Sequence, residues 1–127
     1  MRPKSQGSNE MKNRSLRERL ACAWTGICRA RQDERSLRTQ LWVALAVIPA
    51  LLILRPTLIW WALCVMMASL VIAAELINTA LEQLVDHLHP ERHPRIKRVK
   101  DCAAGAVLVL SIGAIWVGIL MVLSVAG

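Results

Sequence analysis

Four polar residues share one stripe of an otherwise apolar stretch: Glu75, Asn78, Glu82 and Asp86, spaced by three, four and four positions. At about 100° per residue this spacing puts them on one narrow face of a helix. Leu76, Ile77, Leu81, Leu84 and Val85 cover the remaining faces. Glu75 follows directly on a run from Thr57 through Ala74 that carries no charge. An ionisable group at that depth costs at least ~2.5 kcal/mol on insertion scales, so it usually faces a protein interior and has a task there. A deep, poorly hydrated carboxylate suits a general base that meets the hydroxyl of an apolar substrate. A carboxylate nearer water suits Mg²⁺, a hard cation that takes oxygen ligands and bridges nucleotide phosphates. Glu34 and Asp101 are the candidates for a second acid, and Lys100 with its neighbouring cations could neutralise phosphate charge. The competing reading is a helix emerging into water, and it applies most readily to Asp86, beyond the bulk of the apolar run.

Other sites fare less well. There is no GxxxxGK[ST] run and no GxGxxG loop, so a nucleotide would have to be held by acids, a metal and scattered cations. His87, His89 and His93 lack an accompanying cysteine pattern and are interrupted by Pro90 and Pro94, which reads as a cytoplasmic loop rather than a zinc site. Cys22, Cys28, Cys64 and Cys102 show no metal or redox spacing, and packing is the expected role of all four. The basic excess, a formal net charge of +7, flanks apolar blocks and is explained by topology and anionic headgroups rather than by nucleic acid.

These residues need a scaffold, and the chain of 127 residues is 55% hydrophobic with a mean hydropathy of +0.42. Its apolar residues are gathered in blocks with charges in the gaps, as expected when the solvent is lipid. The fold class expected is all-α and membrane-integral. Residues 1–10 read as a disordered tail, and 11–127 as a single membrane domain. Within it, 11–38 is an amphipathic surface helix in which Leu16, Leu20, Ala23 and Ile27 recur at helical spacing and Trp24 anchors the interface. Spans follow at about 39–55, 57–86 and 102–126. Pro49 lies inside the first, and Gly105, Gly113 and Gly118 offer close helix approach in the third. Ten of the 16 Lys and Arg precede residue 39, one is Arg55, and five lie within 92–100. The positive-inside rule then places the N-terminus and the 87–101 loop in the cytoplasm.

The segments ERSLRTQL at 34–41, AELINTALEQLVDHLHPERHP at 74–94 and KRVKDCAAGAVL at 97–108 resemble the small prokaryotic diacylglycerol kinases, which include the undecaprenol kinases. The resemblance covers about residue 15 to the C-terminus. His93-Pro94 and the AAGAVL run are more similar to the undecaprenol-kinase branch. It implies a homotrimeric lipid kinase of the bacterial inner membrane that uses ATP and Mg²⁺, with active sites at the cytoplasmic interface. Glu75 matches the family's catalytic base and Asn78 its polar neighbour. Glu34 and Glu82 match the metal-binding acids, and Lys100 with Asp101 the nucleotide-contacting pair. Glu91, Arg92 and His93 lie where the family's loop meets nucleotide, while Trp24 and Gly26 match positions of the surface helix, where Trp24, together with Glu75, is expected to meet the lipid substrate. Ser15 falls where some members carry a nucleotide-contacting arginine that Arg14 or Arg17 could replace. Cys22 stands at an often aromatic position, and Gln40 replaces another polar or acidic residue.

Two other function classes fit parts of the pattern. A small transporter or channel subunit would use the acid stripe as an ion path and be indifferent to Lys100 and Asp101. A structural protein would use its small residues for packing and tolerate loss of Glu82.

Overall fold

The computed structural model describes residues 14–127, so the tail expected over 1–10 lies outside the described residues. These residues form four helices and no strand: α1 (Leu16–Asp33), α2 (Arg35–Leu54), α3 (Leu58–Leu88) and α4 (Pro94–Ala126). The all-α expectation holds. α2, α3 and α4 are each long and apolar enough to cross a membrane.

α1 starts with a capping box. Ser15 Oγ accepts from the Glu18 N–H at 3.4 Å, and Glu18 Oε2 accepts from the Ser15 N–H at 3.3 Å. The helical segment expected to run to residue 38 is interrupted at Glu34, whose backbone is extended (φ −111°, ψ 116°). The Glu34 N–H closes α1 by donating to the Ala30 carbonyl, and α2 begins at Arg35. α2 continues through Pro49 to Leu54 and ends on Arg55 in the left-handed region (φ 48°), with Pro56 preventing further helix. α4 also begins earlier than its apolar block. His93 is its N-cap, Nδ1 accepting from the Arg95 N–H at 3.1 Å, and Pro94 takes the first helical position. The charged residues 94–101, expected in a loop, are therefore the first two turns of a 33-residue helix.

The alternating directions of α2, α3 and α4 bring the start of α2, the end of α3 and the start of α4 to one charged end. The opposite end holds the packed core: Leu51, Cys64 and Met121, with Val47, Trp60, Trp61 and Val117 against them. Trp60 Nε1 donates to Ser124 Oγ there at 3.2 Å. α3 and α4 make the most extensive helix pair. Gly113 serves that pair, since a Cβ on it would lie 3.2 Å from Met67 Cε. Gly105 and Gly118 meet no neighbour within 4 Å, so close approach rests on one of the three glycines expected to provide it. Of the cysteines only Cys64 is in the core, while Cys28 is half-buried and Cys22 and Cys102 are exposed, so packing does not account for all four.

Trp42, Ile53, Leu58 and Ile115 are among many large apolar side chains on the outside. In the apolar windows of α2, α3 and α4 only 11%, 17% and 11% of residues are buried within the chain. An aqueous surface of this kind would aggregate, whereas in a bilayer it is the expected lipid- and helix-facing exterior.

Candidate active site

The stripe on α3 is buried at one end and exposed at the other. Glu75 is 4% exposed, Asn78 9% and Thr79 3%, Glu82 is half-buried, and Asp86 is open. A helix that simply emerged into water would not enclose a carboxylate and an amide in the same layer. No hydrogen bond or ion pair to Glu75 is found among the described residues, and Asn78 Oδ1 is fully covered without a hydrogen-bond partner. An orphaned buried acceptor costs about 1–3 kcal/mol, so a fold keeps one only where something else is gained. Thr79 completes this polar layer, beyond the residues that the sequence reading assigns to it. Its spacing of four from Glu75 was the available signal.

Glu34 is half-buried at the break between α1 and α2, at the charged end of the bundle that also holds Glu82. α1 packs on both α2 and α3. Its later half makes those contacts, with Ala30 buried and Ile27 and Cys28 half-buried. Leu16, Leu20 and Trp24 form an exposed apolar stripe on its first half, 73%, 63% and 68% exposed. No cluster of three His, Cys, Asp or Glu residues suited to a metal exists among the described residues. Two separate carboxylates do not make a protein-only cage. They do fit Mg²⁺, which keeps waters and is commonly held by one or two carboxylates plus substrate phosphates.

A second feature lies beyond the end of α3. The loop 89–93 and the first turns of α4 enclose an open pocket of about 560 Å³. Glu91, Arg92, His93 and Lys100 line it, joined by Asp86, His89 and Lys97. His89 Nδ1 lies 3.1 Å from the Glu91 carbonyl oxygen, and the His89 and His93 rings meet edge-on at 5.9 Å. Asp101 does not line this pocket. Its carboxylate accepts from Lys97 Nζ at 2.6 Å, and that hydrogen bond, with the carboxylate's charge, raises the Lys97 pKa above its ordinary value. Lys100 instead pairs with Asp86 on α3. The sequence-predicted residues thus fall into two groups: Glu75, Asn78, Glu82 and Glu34 outside the pocket, and Glu91, Arg92, His93 and Lys100 around it.

A second cavity, about 450 Å³ and mostly apolar, runs between α2, α3 and α4. Thr39 and Gln40 stand at its charged end, and Val71, one turn before Glu75 on α3, is part of its wall.

Comparison with known proteins identifies the family of the chain. Residues 21–122 match the prokaryotic diacylglycerol kinase family. The chain is 39% identical over 97 residues to a diacylglycerol kinase of Synechocystis sp. (strain ATCC 27184 / PCC 6803 / Kazusa), a match covering 76% of this chain and 55% of that protein. It is 32% identical over 101 residues to the undecaprenol kinase of Bacillus subtilis (strain 168), covering 80% and 82% of the two chains. It is 34% identical over 97 residues to a diacylglycerol kinase of Haemophilus influenzae (strain ATCC 51907 / DSM 11121 / KW20 / Rd), covering 75% and 82%. The chain spans about half the length of the Synechocystis relative and about four-fifths of the other two. With three apolar spanning helices and a family match over most of its length, the chain belongs to the prokaryotic diacylglycerol kinase family, a family of lipid kinases.

Proposed function

We propose that this protein transfers the γ-phosphoryl group of ATP to the hydroxyl of a membrane lipid, diacylglycerol or undecaprenol. The observation that carries the reading is the enclosed layer of Glu75 and Asn78, a buried carboxylate beside an amide oxygen that finds no hydrogen-bond partner among the described residues. Glu75 takes the proton of the lipid hydroxyl as that oxygen attacks the γ-phosphorus. The bond from the γ-phosphorus to the β–γ bridging oxygen breaks, and ADP departs. Asn78 orients the hydroxyl toward Glu75. Glu34 and Glu82 would hold Mg²⁺, which offsets charge on the phosphates when bound. Lys100 offsets charge on the nucleotide's phosphates where they leave the pocket, and Glu91, Arg92, His93 and Asp101 contribute nucleotide contacts.

Dimensions support this division. Glu75 and Asp86 are eleven residues apart on one helix, a rise of about 16 Å, comparable to an extended nucleoside triphosphate. A nucleoside in the 89–93 pocket would thus direct its γ-phosphate along the stripe toward Glu82 and Glu75. The apolar cavity beside Val71 is suited to a lipid tail, and the exposed stripe of Leu16, Leu20 and Trp24 suits α1 to the headgroup plane, with Trp24 near the lipid substrate. The charge asymmetry supports an N-terminus and a site on the cytoplasmic side of the inner membrane. The assembly expected from the family resemblance is a homotrimer.

The test is phosphoryl transfer from γ-labelled ATP to diacylglycerol and to undecaprenol, offered separately in mixed micelles with Mg²⁺. Label in one lipid names the substrate. No label in either, from folded protein, contradicts the reading and returns an ion-transport role to the front.

A further inference from the structure

Asp86 is the one member of the α3 stripe for which the phosphoryl-transfer reading has no use. It lies four residues beyond Glu82 and is exposed, and its position alone is that of a solvated helix end. Its contact is not that of a solvated end, however. The Asp86 carboxylate accepts from Lys100 Nζ, on the opposite helix and fourteen residues away in sequence. Both side chains line the 89–93 pocket.

Stability does not explain this pair. The Asp86 and Lys100 side chains are 61% and 33% exposed, and ion pairs this open to solvent contribute little to folding. The consequence for Lys100 is larger. A lysine ammonium is a point charge on a flexible four-carbon stem, and fixing it on a ligand costs most of the rotamer freedom of that stem. One bond to Asp86 fixes the ammonium at the pocket wall and leaves two of its three donors for another acceptor.

We propose that Asp86 is a positioning residue: it holds the Lys100 ammonium at the pocket wall, pre-set to receive the phosphates of a nucleotide. The inference rests on the kinase reading, in which Lys100 meets those phosphates. In this role Asp86 acts through Lys100 and takes no part in the chemical step. Its negative charge opposes phosphate binding while its geometry favours it, so the two effects have to be separated by experiment.

Asp86→Asn and Asp86→Ala separate them, because the amide keeps a hydrogen-bond acceptor and loses the charge. The readouts are the affinity for a non-hydrolysable MgATP analogue, by titration calorimetry in detergent, and the KM for ATP and kcat in micelles. Positioning predicts that Asp86→Ala weakens both affinity and KM by roughly three- to tenfold, with kcat less affected and thermal stability unchanged. Asp86→Asn stays near the parent protein. In a Lys100→Ala background, Asp86→Ala has no further effect on analogue affinity. If both Asp86 variants bind the analogue more tightly, Asp86 is a competitor for Lys100 and positioning is wrong. If both leave affinity and KM unchanged, the pair is a surface ion pair and nothing more. Failure of the parent protein itself to bind the analogue or to label lipid would instead overturn the kinase reading.

Discussion

The two polar regions of this molecule differ in what they cost. The layer at Glu75, Asn78 and Thr79 is closed off within the helices, and its amide oxygen has no partner among the described residues. The region around loop 89–93 is open, and it holds two ion pairs, Lys97 with Asp101 and Lys100 with Asp86. Enclosed polar groups without partners are costly, whereas exposed ion pairs add little. The costly region is therefore where selection for chemistry is easiest to see. The inexpensive region can exchange its partners readily, as the nucleotide-binding role proposed for it requires.

The comparison yields predictions that differ in size. Glu82→Ala should lower kcat/KM for lipid phosphorylation by about 10²–10³-fold, with partial recovery at raised Mg²⁺, measured with labelled ATP. Full activity at ordinary Mg²⁺ would take Glu82 out of the metal site. Asn78→Leu should move activity and stability in opposite directions. Removing the orphaned oxygen should stabilise the fold by about 1–3 kcal/mol, read by thermal denaturation in detergent, while turnover falls. A loss of stability would mean that the amide is satisfied by a neighbouring chain. Gly113→Leu, where even a Cβ lies 3.2 Å from Met67 Cε, should destabilise the α3–α4 pair by about 1–3 kcal/mol. Gly105→Leu should be tolerated, since that position meets no neighbour within the chain. The smallest effect is at the far turn, where Arg55→Gly relieves a left-handed backbone and should stabilise by up to about 1 kcal/mol.

The costly region is also the one most legible in sequence. A carboxylate immediately after an uncharged run, with an amide and a second acid at helical spacing, reports its own face and depth without tertiary information. The three spans were legible for the same reason: lipid demands contiguous apolar blocks. Hydropathy, however, marks bilayer depth and not helix length. The early start of α4 was hidden because residues 94–101 are charged, although His93 and Pro94 form a legible N-cap and first position. The break at Glu34 carries no glycine or proline signal. The exchange of partners that joins Lys100 to Asp86 depends on two helix ends meeting across a loop, which spacing cannot express. Which of three glycines faces a neighbour is likewise set by the rotation of α4.

The central claim is that the buried layer carries the chemistry and the open pocket the nucleotide. The most direct test measures MgATP-analogue affinity and label transfer to lipid side by side in Glu75→Gln and Lys100→Ala. Glu75→Gln should lose transfer by about 10²–10⁴-fold with affinity for the analogue unchanged, while Lys100→Ala should lose affinity as well as rate. Near-normal transfer in folded Glu75→Gln protein would contradict the account.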